Sequence, residues 1–348
     1  MGTVRPWIRV LQIAFTYVGT VVGAGFASGK EILHFFTRYG WMATLTIGFA
    51  SALFVWLGTK LMLIAHELNA ESYEDMNKHL FGNKWGGWFS LFSLVVLFGI
   101  TAVMLAGAGS VLEEHFRLSY QFGLLLTLLC AYAVIVKGIK AIMAVNTVVV
   151  PLMLGISGLL FGAAAGSPDA DRWLRLTSDD PLGKIWTSPF LYVAFNLATA
   201  QAALVPLATS VTNRKWLKAG GVTGGVGIGL MLLGGHIALA THMPGIARFE
   251  IPMGHLAASL GPTWQLLFLA AILGEIFTTL VANVYGLSLQ LRQRTGIREK
   301  TVIAVALAFG YGISQIGFGK LLTTLYPLFG LVSLIWLALL AIRRPNAR

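Results

Sequence analysis

Ten apolar stretches of roughly 20 to 30 residues, parted by short polar connections, run along the chain, and each is long enough to cross a bilayer as a helix. The pattern predicts helices 1 to 10 over residues 7–37, 41–65, 86–110 (reaching toward Phe116), 120–136, 139–164, 185–211, 216–240, 263–291, 301–317 and 321–342. Three connections break the monotony. Residues 67–81 carry Glu67, Glu71, Glu74, Asp75, Lys78 and His79 and read as a segment lying on the membrane surface. Residues 165–184 are rich in Asp, Ser and Pro and mark the midpoint. Residues 251–260 read as a short amphipathic helix between Pro252 and Pro262, placed to cap an entrance.

Composition agrees with the pattern. The 348 residues are 56% hydrophobic and 11% charged, against roughly 25% charged in a soluble domain. The predicted fold class is therefore an all-α polytopic membrane protein, an integral protein of the cell membrane. The net charge of +11 does not make a nucleic-acid surface, because the basic residues stand singly or in small groups between spans. Seventeen of the twenty-five Lys and Arg, among them Arg5, Arg9, Lys60, Lys137, Arg214 and Arg292, fall on the side of the N-terminus. That bias places both termini in the cytoplasm. Arg5 and Arg9 before an apolar run resemble a signal peptide, but the apolar pattern resumes beyond Lys30 and Glu31, which argues for a retained span. The single Cys130 allows no disulfide within the chain. Five helices before the midpoint and five after it have opposite topology and similar length. This suggests an inverted repeat, with residues 1–164 as the first unit, 165–184 as an extracytoplasmic linker and 185–348 as the second unit.

Two places carry chemistry. The stretch Gly19-Thr20-Val21-Val22-Gly23-Ala24-Gly25-Phe26-Ala27-Ser28-Gly29 puts four glycines in the middle of helix 1, where they weaken the helix. Backbone freed at that depth is tolerated only where it lines a cavity or meets a ligand. Small residues also serve plain helix packing, and helix 7 has more of them: Gly220, Gly221, Gly224, Gly225, Gly227 and Gly229. The charged pair Lys30-Glu31 sets helix 1 apart; it faces either an aqueous vestibule or a solvated helix end with His34 and Arg38. A helix restarting near Gly25 offers free N–H groups to an anion.

The second place is Glu275, the sole acid in the apolar part of helix 8. An ionisable group there is costly and points to function, although a neutral Glu bonded to a neighbouring helix is the bland alternative. Thr278 and Thr279 share its helix face at i+3 and i+4, and Asn283 continues the stripe. These hard oxygen ligands suit sodium; the carboxyl alone would carry a proton. Asn196 and Gln201 in helix 6 are candidate solute contacts or interhelical glue, and Asn146, His236 and Gln315 read as glue. His66-Glu67 lacks the second histidine of a zinc-protease motif, and no G-x-S-x-G is present, so nothing points to an enzyme.

The run Gly19-Thr-Val-Val-Gly-Ala-Gly-Phe-Ala-Ser-Gly-Lys-Glu-Ile-Leu and the helix 8 segment Glu275-Ile-Phe-Thr-Thr-Leu-Val-Ala-Asn-Val-Tyr-Gly resemble the YkvI-like membrane proteins. These are distant members of the amino acid–polyamine–organocation transporter superfamily. The resemblance covers essentially the whole chain and implies the LeuT-type fold: ten transmembrane helices in a 5+5 inverted repeat, with helices 1 and 6 discontinuous. Carried over by position, it implies that the carbonyls of Gly19 and Val22 and the hydroxyls of Thr278 and Thr279 hold Na⁺. The amides around Gly23, Ala24 and Gly25 would face an anionic group of the solute, with Phe26, Asn196 and Gln201 beside it. Phe26 stands where relatives with a second cation site carry an amide side chain, which speaks against a second ion. Helix 6 has no glycine between Pro189 and Pro206, so its break is implied by the fold alone, at Asn196, Ala198, Thr199 and Ala200.

The expected function is a cation-coupled symporter for a small, amino-acid-like solute, with Na⁺ or H⁺ as coupling ion. No cofactor, nucleic acid or obligate protein partner is expected beyond solute and lipid bilayer. A passive channel and a non-transporting sensor with a transporter-like site are the alternatives.

Overall fold

The computed structural model describes residues 6–70, 72–135 and 139–343. Of the residues named above, Arg5, Glu71 and Lys137 lie outside this set, as do the side chains of Asn146 and Arg292. Ten helices follow the expected order: α1 (Pro6–Val21, resumed as Ala24–Ala27 and Lys30–Phe35), α2 (Met42–Leu68), α3 (Tyr73–Phe116), α4 (Tyr120–Ile135), α5 (Ile139–Ala165), α6 (Leu182–Ser210), α7 (Arg214–Ala240), α8 (Pro262–Thr295), α9 (Glu299–Ser314) and α10 (Phe318–Ile342). Among the described residues, α2, α3, α6, α7, α8 and α10 are each long and apolar enough to cross a membrane. The apolar helices α4 and α9 are shorter, and α1 is interrupted.

The polar segment expected at the membrane surface is helical from Tyr73 and joins α3. Ser72 and Asp75 form a capping box, each side chain accepting from the other's backbone N–H, which satisfies two otherwise orphaned donors at the helix start. Gly82, at φ +79°, turns this surface helix into the membrane part of α3. Buried Asn77 locks the turn: its amide donates to Ser90 Oγ (3.3 Å), and Trp336 Nε1 of α10 donates to its Oδ1 (3.0 Å).

The glycines of α7 form the packing face expected of them. A Cβ at Gly220 would meet Ile13, one at Gly224 would meet Tyr17, and one at Gly225 would meet Val55. Small residues thus let α1 and α2 approach the α7 backbone. Residues Phe54–Gly58 of α2 form a π-turn, and the Tyr17 hydroxyl donates to the Phe54 carbonyl across the interface (2.8 Å). A π-turn disturbs the regular bonding ladder, and here a side chain from α1 supplies the partner.

Helix 1 breaks at Val22–Gly23, inside the predicted window. The predicted break in helix 6 is absent: α6 is one helix from Leu182 to Ser210, with Pro189 and Pro206 inside it. The residues expected to open it hold it closed. Asn196 Nδ2 donates to the Tyr192 carbonyl (2.9 Å), and Thr199 Oγ1 donates to the Phe195 carbonyl (3.1 Å). With no glycine in this stretch and its polar side chains turned onto their own helix, nothing forces the backbone open.

Removing the Tyr17 hydroxyl leaves the buried Phe54 carbonyl without its partner. Tyr17→Phe is expected to destabilise the protein by about 1–2 kcal/mol, read as a lower melting temperature in detergent, with no change in helical content.

Candidate functional site

The break in α1 releases backbone where the sequence placed it. The Gly23 N–H bonds to the Val21 carbonyl (3.0 Å) instead of to Gly19 four residues back, so the Gly19 carbonyl loses its helical donor. The chain resumes at Ala24, runs one turn, and is interrupted again at Gly29, whose φ is +83°. There a Cβ would also collide with Met253.

A cavity of about 500 Å³ opens beside this break. Its wall brings together Gly19 and Gly23 of α1, Asn196 and Thr199 of α6, Glu275, Thr278 and Thr279 of α8, and Glu31. Phe195 and Tyr326 pack beside them, their rings tilted by 33° with centroids 4.3 Å apart. The lining continues along α6 to Pro206 and along α8 to Asn283 and Tyr285, and Tyr73 of the surface helix joins it. In helices of alternating direction, these positions lead from the middle of the bundle toward the side of the N-terminus.

The opposite side is sealed. The loop after α7 carries a short helix, Pro252–Ala258, close to the predicted 251–260. Met253 N–H donates to the Ser28 carbonyl (2.9 Å), and Lys30 Nζ donates to the Phe249 carbonyl (2.6 Å). Ser188 Oγ of α6 donates to the Phe35 carbonyl (2.6 Å), and Phe35 and Phe36 pack on Tyr192. Arg38 meets Asp180 of the midpoint loop (3.4 Å), and Lys184 holds the Asp180 carboxyl below its usual range. The Glu114 carboxylate at the end of α3 accepts from the N–H groups of Glu250 (2.9 Å) and Ile251 (3.0 Å). Beside it, Glu114, His115 and His255 bring three ligand atoms within 4.8 Å of one another, a donor set that divalent transition metals accept.

The expected site residues divide into two groups. Gly19, Gly23, Asn196, Glu275, Thr278 and Thr279 line the cavity; Val22, Ala24, Gly25, Phe26 and Gln201 do not. Gln201 is turned toward a separate small pocket with Tyr73 and Ser333, and both of its amide atoms are buried without a partner. The short segment Ala24–Ala27 is buried throughout and packs against α8. Its amides do not stand open to the cavity. The Glu31 side chain folds back over Gly25, so closely that a Cβ there would run into the carboxyl, and it interacts with the Phe26 N–H and the Tyr192 hydroxyl. The protein's own carboxyl therefore occupies the place expected for a solute's anionic group.

Glu31 is the cavity residue that the sequence reading left undecided, and the signal was present. It is an acid within an apolar span, the same feature that drew attention to Glu275. Thr199 and Tyr326 gave no such signal, because hydroxyls on apolar helices are common. Of the expected glue residues, His236 Nδ1 meets Thr37 Oγ1 (3.1 Å), and Gln315 accepts from Gln121 Nε2 (2.6 Å).

An all-helical bundle with an interrupted first helix and a one-sided central cavity is a LeuT-type membrane fold. The structure matches the inward-facing conformation of Mhp1 with a TM-score of 0.67 over 95% of this chain and 75% of that one, at 13% identity. The chain belongs to the YkvI family: it is 39% identical over 341 residues to the uncharacterized membrane protein YkvI of Bacillus subtilis (strain 168), 97% of each chain. It is also 24% identical over 336 residues to the uncharacterized protein YyaD of the same organism, 96% of each chain. No protein-family model matches the chain.

Gly25→Ala is expected to lower the melting temperature by forcing the Glu31 carboxyl away. Combined with Glu31→Ala, which removes the colliding atoms, most of that loss should return. The double-mutant cycle should thus show coupling of about 1 kcal/mol or more, and additive effects would refute the contact.

Proposed function

We propose that this protein is a secondary transporter that moves a small solute by alternating access, coupled to Na⁺ or H⁺. The observation that carries the reading is the cavity beside the α1 break: it joins the released backbone of α1 to the carboxyl and hydroxyls of α8, leads toward one side, and is closed on the other by hydrogen bonds. With the Lys and Arg bias placing the N-terminal side in the cytoplasm, the cavity faces inward and the loop bearing Pro252–Ala258 closes the outer face. In the complementary state the outer contacts, Met253 with Ser28 and Lys30 with Phe249, would part.

The coupling cation fits between Gly19 on α1 and Thr278 and Thr279 on α8. The Thr278 hydroxyl donates to the Glu275 carbonyl (3.1 Å) and so keeps its lone pairs for a cation. Val22 and the second half of the α1 break would join this shell only after rearrangement, because Val22 does not line the cavity. Such an ion drives transport only through different affinities in the two states. Glu275 offers the alternative, a carboxyl that takes up and releases a proton. The amides first offered to a solute carboxylate are covered by Glu31, so the reading keeps a small solute and drops that contact. A passive facilitator would lack accumulation against a gradient; a sensor would bind solute without flux.

Sodium coupling is tested without knowing the solute. At equal ionic strength, NaCl should raise the melting temperature of the purified protein above that in KCl, and Thr278→Ala with Thr279→Ala should remove the difference. An unchanged melting temperature in the parent protein moves the coupling to Glu275. In proteoliposomes Glu275→Gln should then keep solute exchange while losing accumulation driven by a pH gradient.

A further inference from the structure

We propose that Glu114, His115 and His255 bind a divalent transition-metal ion of the Zn²⁺ type, and that the bound ion ties the loop before α8 to the end of α3. The site lies on the sealed face, apart from the cavity beside the α1 break. Glu114 and His115 stand in the last turn of α3, and His255 stands on the short helix Pro252–Ala258. Their ligand atoms all lie within 4.8 Å of one another. Nε2 of His115 is 4.0 Å and Nε2 of His255 is 3.9 Å from Oε2 of Glu114.

The two unmet nitrogens point to a ligand. The His115 side chain is 2% exposed, and its Nε2 is buried without a hydrogen-bond partner. His255 Nε2 is also buried without a partner, although its side chain is partly exposed and leaves an ion a way in. Buried polar atoms nearly always find a partner, and an ion is one of the few reasons for an exception. At 3.9 and 4.0 Å neither nitrogen reaches the carboxylate in a hydrogen bond, whereas an ion between them would bond all three. Bonds from Zn²⁺ to imidazole nitrogen and carboxylate oxygen are about 2 Å long, so the ligands need to close by only about 1 Å, within reach of side-chain rotation. Two imidazoles and one carboxylate are also the donor set of Zn²⁺ sites that keep a fourth place for water. The surroundings hold the ligands in place. The N–H groups of Glu250 and Ile251 orient the Glu114 carboxylate. The His255 ring stacks on Phe249 with centroids 3.5 Å apart. Gly254 leaves room for His115, since a Cβ there would stand 2.6 Å from its Nε2. Outer partners that orient ligands in this way raise metal affinity.

The same loop is bonded to the segment after the break, through Met253 to Ser28 and through Phe249 to Lys30. An ion joining His255 to α3 holds that loop down. Under the transport reading above, an occupied site would favour the state in which this face stays closed; binding itself does not rest on that reading.

The test uses the full chain in detergent, freed of any affinity tag and stripped with EDTA, titrated with ZnCl₂ by calorimetry and by thermal shift. Zn²⁺ should bind and raise the melting temperature. His115→Gln and His255→Ala should each weaken binding by about tenfold or more, and His79→Ala, on the surface helix before α3, should not. Co²⁺ in place of Zn²⁺ should give a visible absorption that His255→Ala removes. Zn²⁺ should also slow tryptic cleavage after the exposed Arg248 in the parent protein but not in His255→Ala. Should His115→Gln fail to fold, the partly exposed His255 carries the test. Absence of Zn²⁺ binding, an affinity indifferent to the histidine substitutions, or cleavage at the same rate with and without Zn²⁺ overturns the proposal. The transport reading fails separately: Zn²⁺ bound through these residues in a protein that moves no solute in proteoliposomes leaves the metal site standing.

Discussion

A peptide group released inside a hydrocarbon layer must find a partner in protein or in water, and the break at Val22–Gly23 imposes that demand at the centre of this molecule. One side of the break is answered by space: the Gly19 carbonyl, deprived of the Gly23 N–H, lies on a cavity. The other side is answered by the protein, because the Glu31 carboxyl folds onto Gly25 and the Phe26 N–H. The absence of a Cβ at Gly25 makes this approach possible. The site is thus asymmetric, with acceptors open on one arm of α1 and donors covered on the other.

That asymmetry sets what the cavity can receive. Carbonyl, hydroxyl and carboxyl oxygens dominate its polar wall, and no cationic side chain in the described lining balances them. The same wall connects to the sealed face through one segment. Ser28 and Lys30 sit between the break and Glu31, and both are bonded to the loop that carries Pro252–Ala258. The break and the sealed face therefore share a stretch of fewer than ten residues.

The two ends of the bundle differ in how they are closed. Side-chain and backbone hydrogen bonds concentrate on the face away from the N-terminus, where α1, α3, α6 and the α7–α8 loop converge. On the N-terminal side the cavity runs out between α6, α8 and the surface helix before α3. Tyr73 at the start of that surface helix reaches the lining, and the helix itself is held by Asn77, Ser90 and Trp336, so its position beside the exit is set by buried hydrogen bonds.

The apolar pattern by itself determined the ten helices and their order, the polar segment before α3 and the short helix after α7, because burial in lipid demands long apolar runs and each polar interruption must fall outside them. It also located the break in α1, since glycine weakens a helix wherever it stands, and it marked Glu275, since an acid in an apolar span is costly wherever it points. It could not decide α6. Whether Asn196 and Thr199 open a helix or brace it depends on whether their side chains turn outward or onto the carbonyls at i−4, and only the packed structure fixes that rotamer. Nor could it assign the amides near Gly25. Glu31 lies six residues further on, and the reversal at Gly29 that brings its carboxyl back over the break is set by the Met253 loop, more than two hundred residues away. Helix formation and lipid exposure are local and were legible in the chain; which charge occupies the break is a long-range contact, and tertiary structure alone decided it.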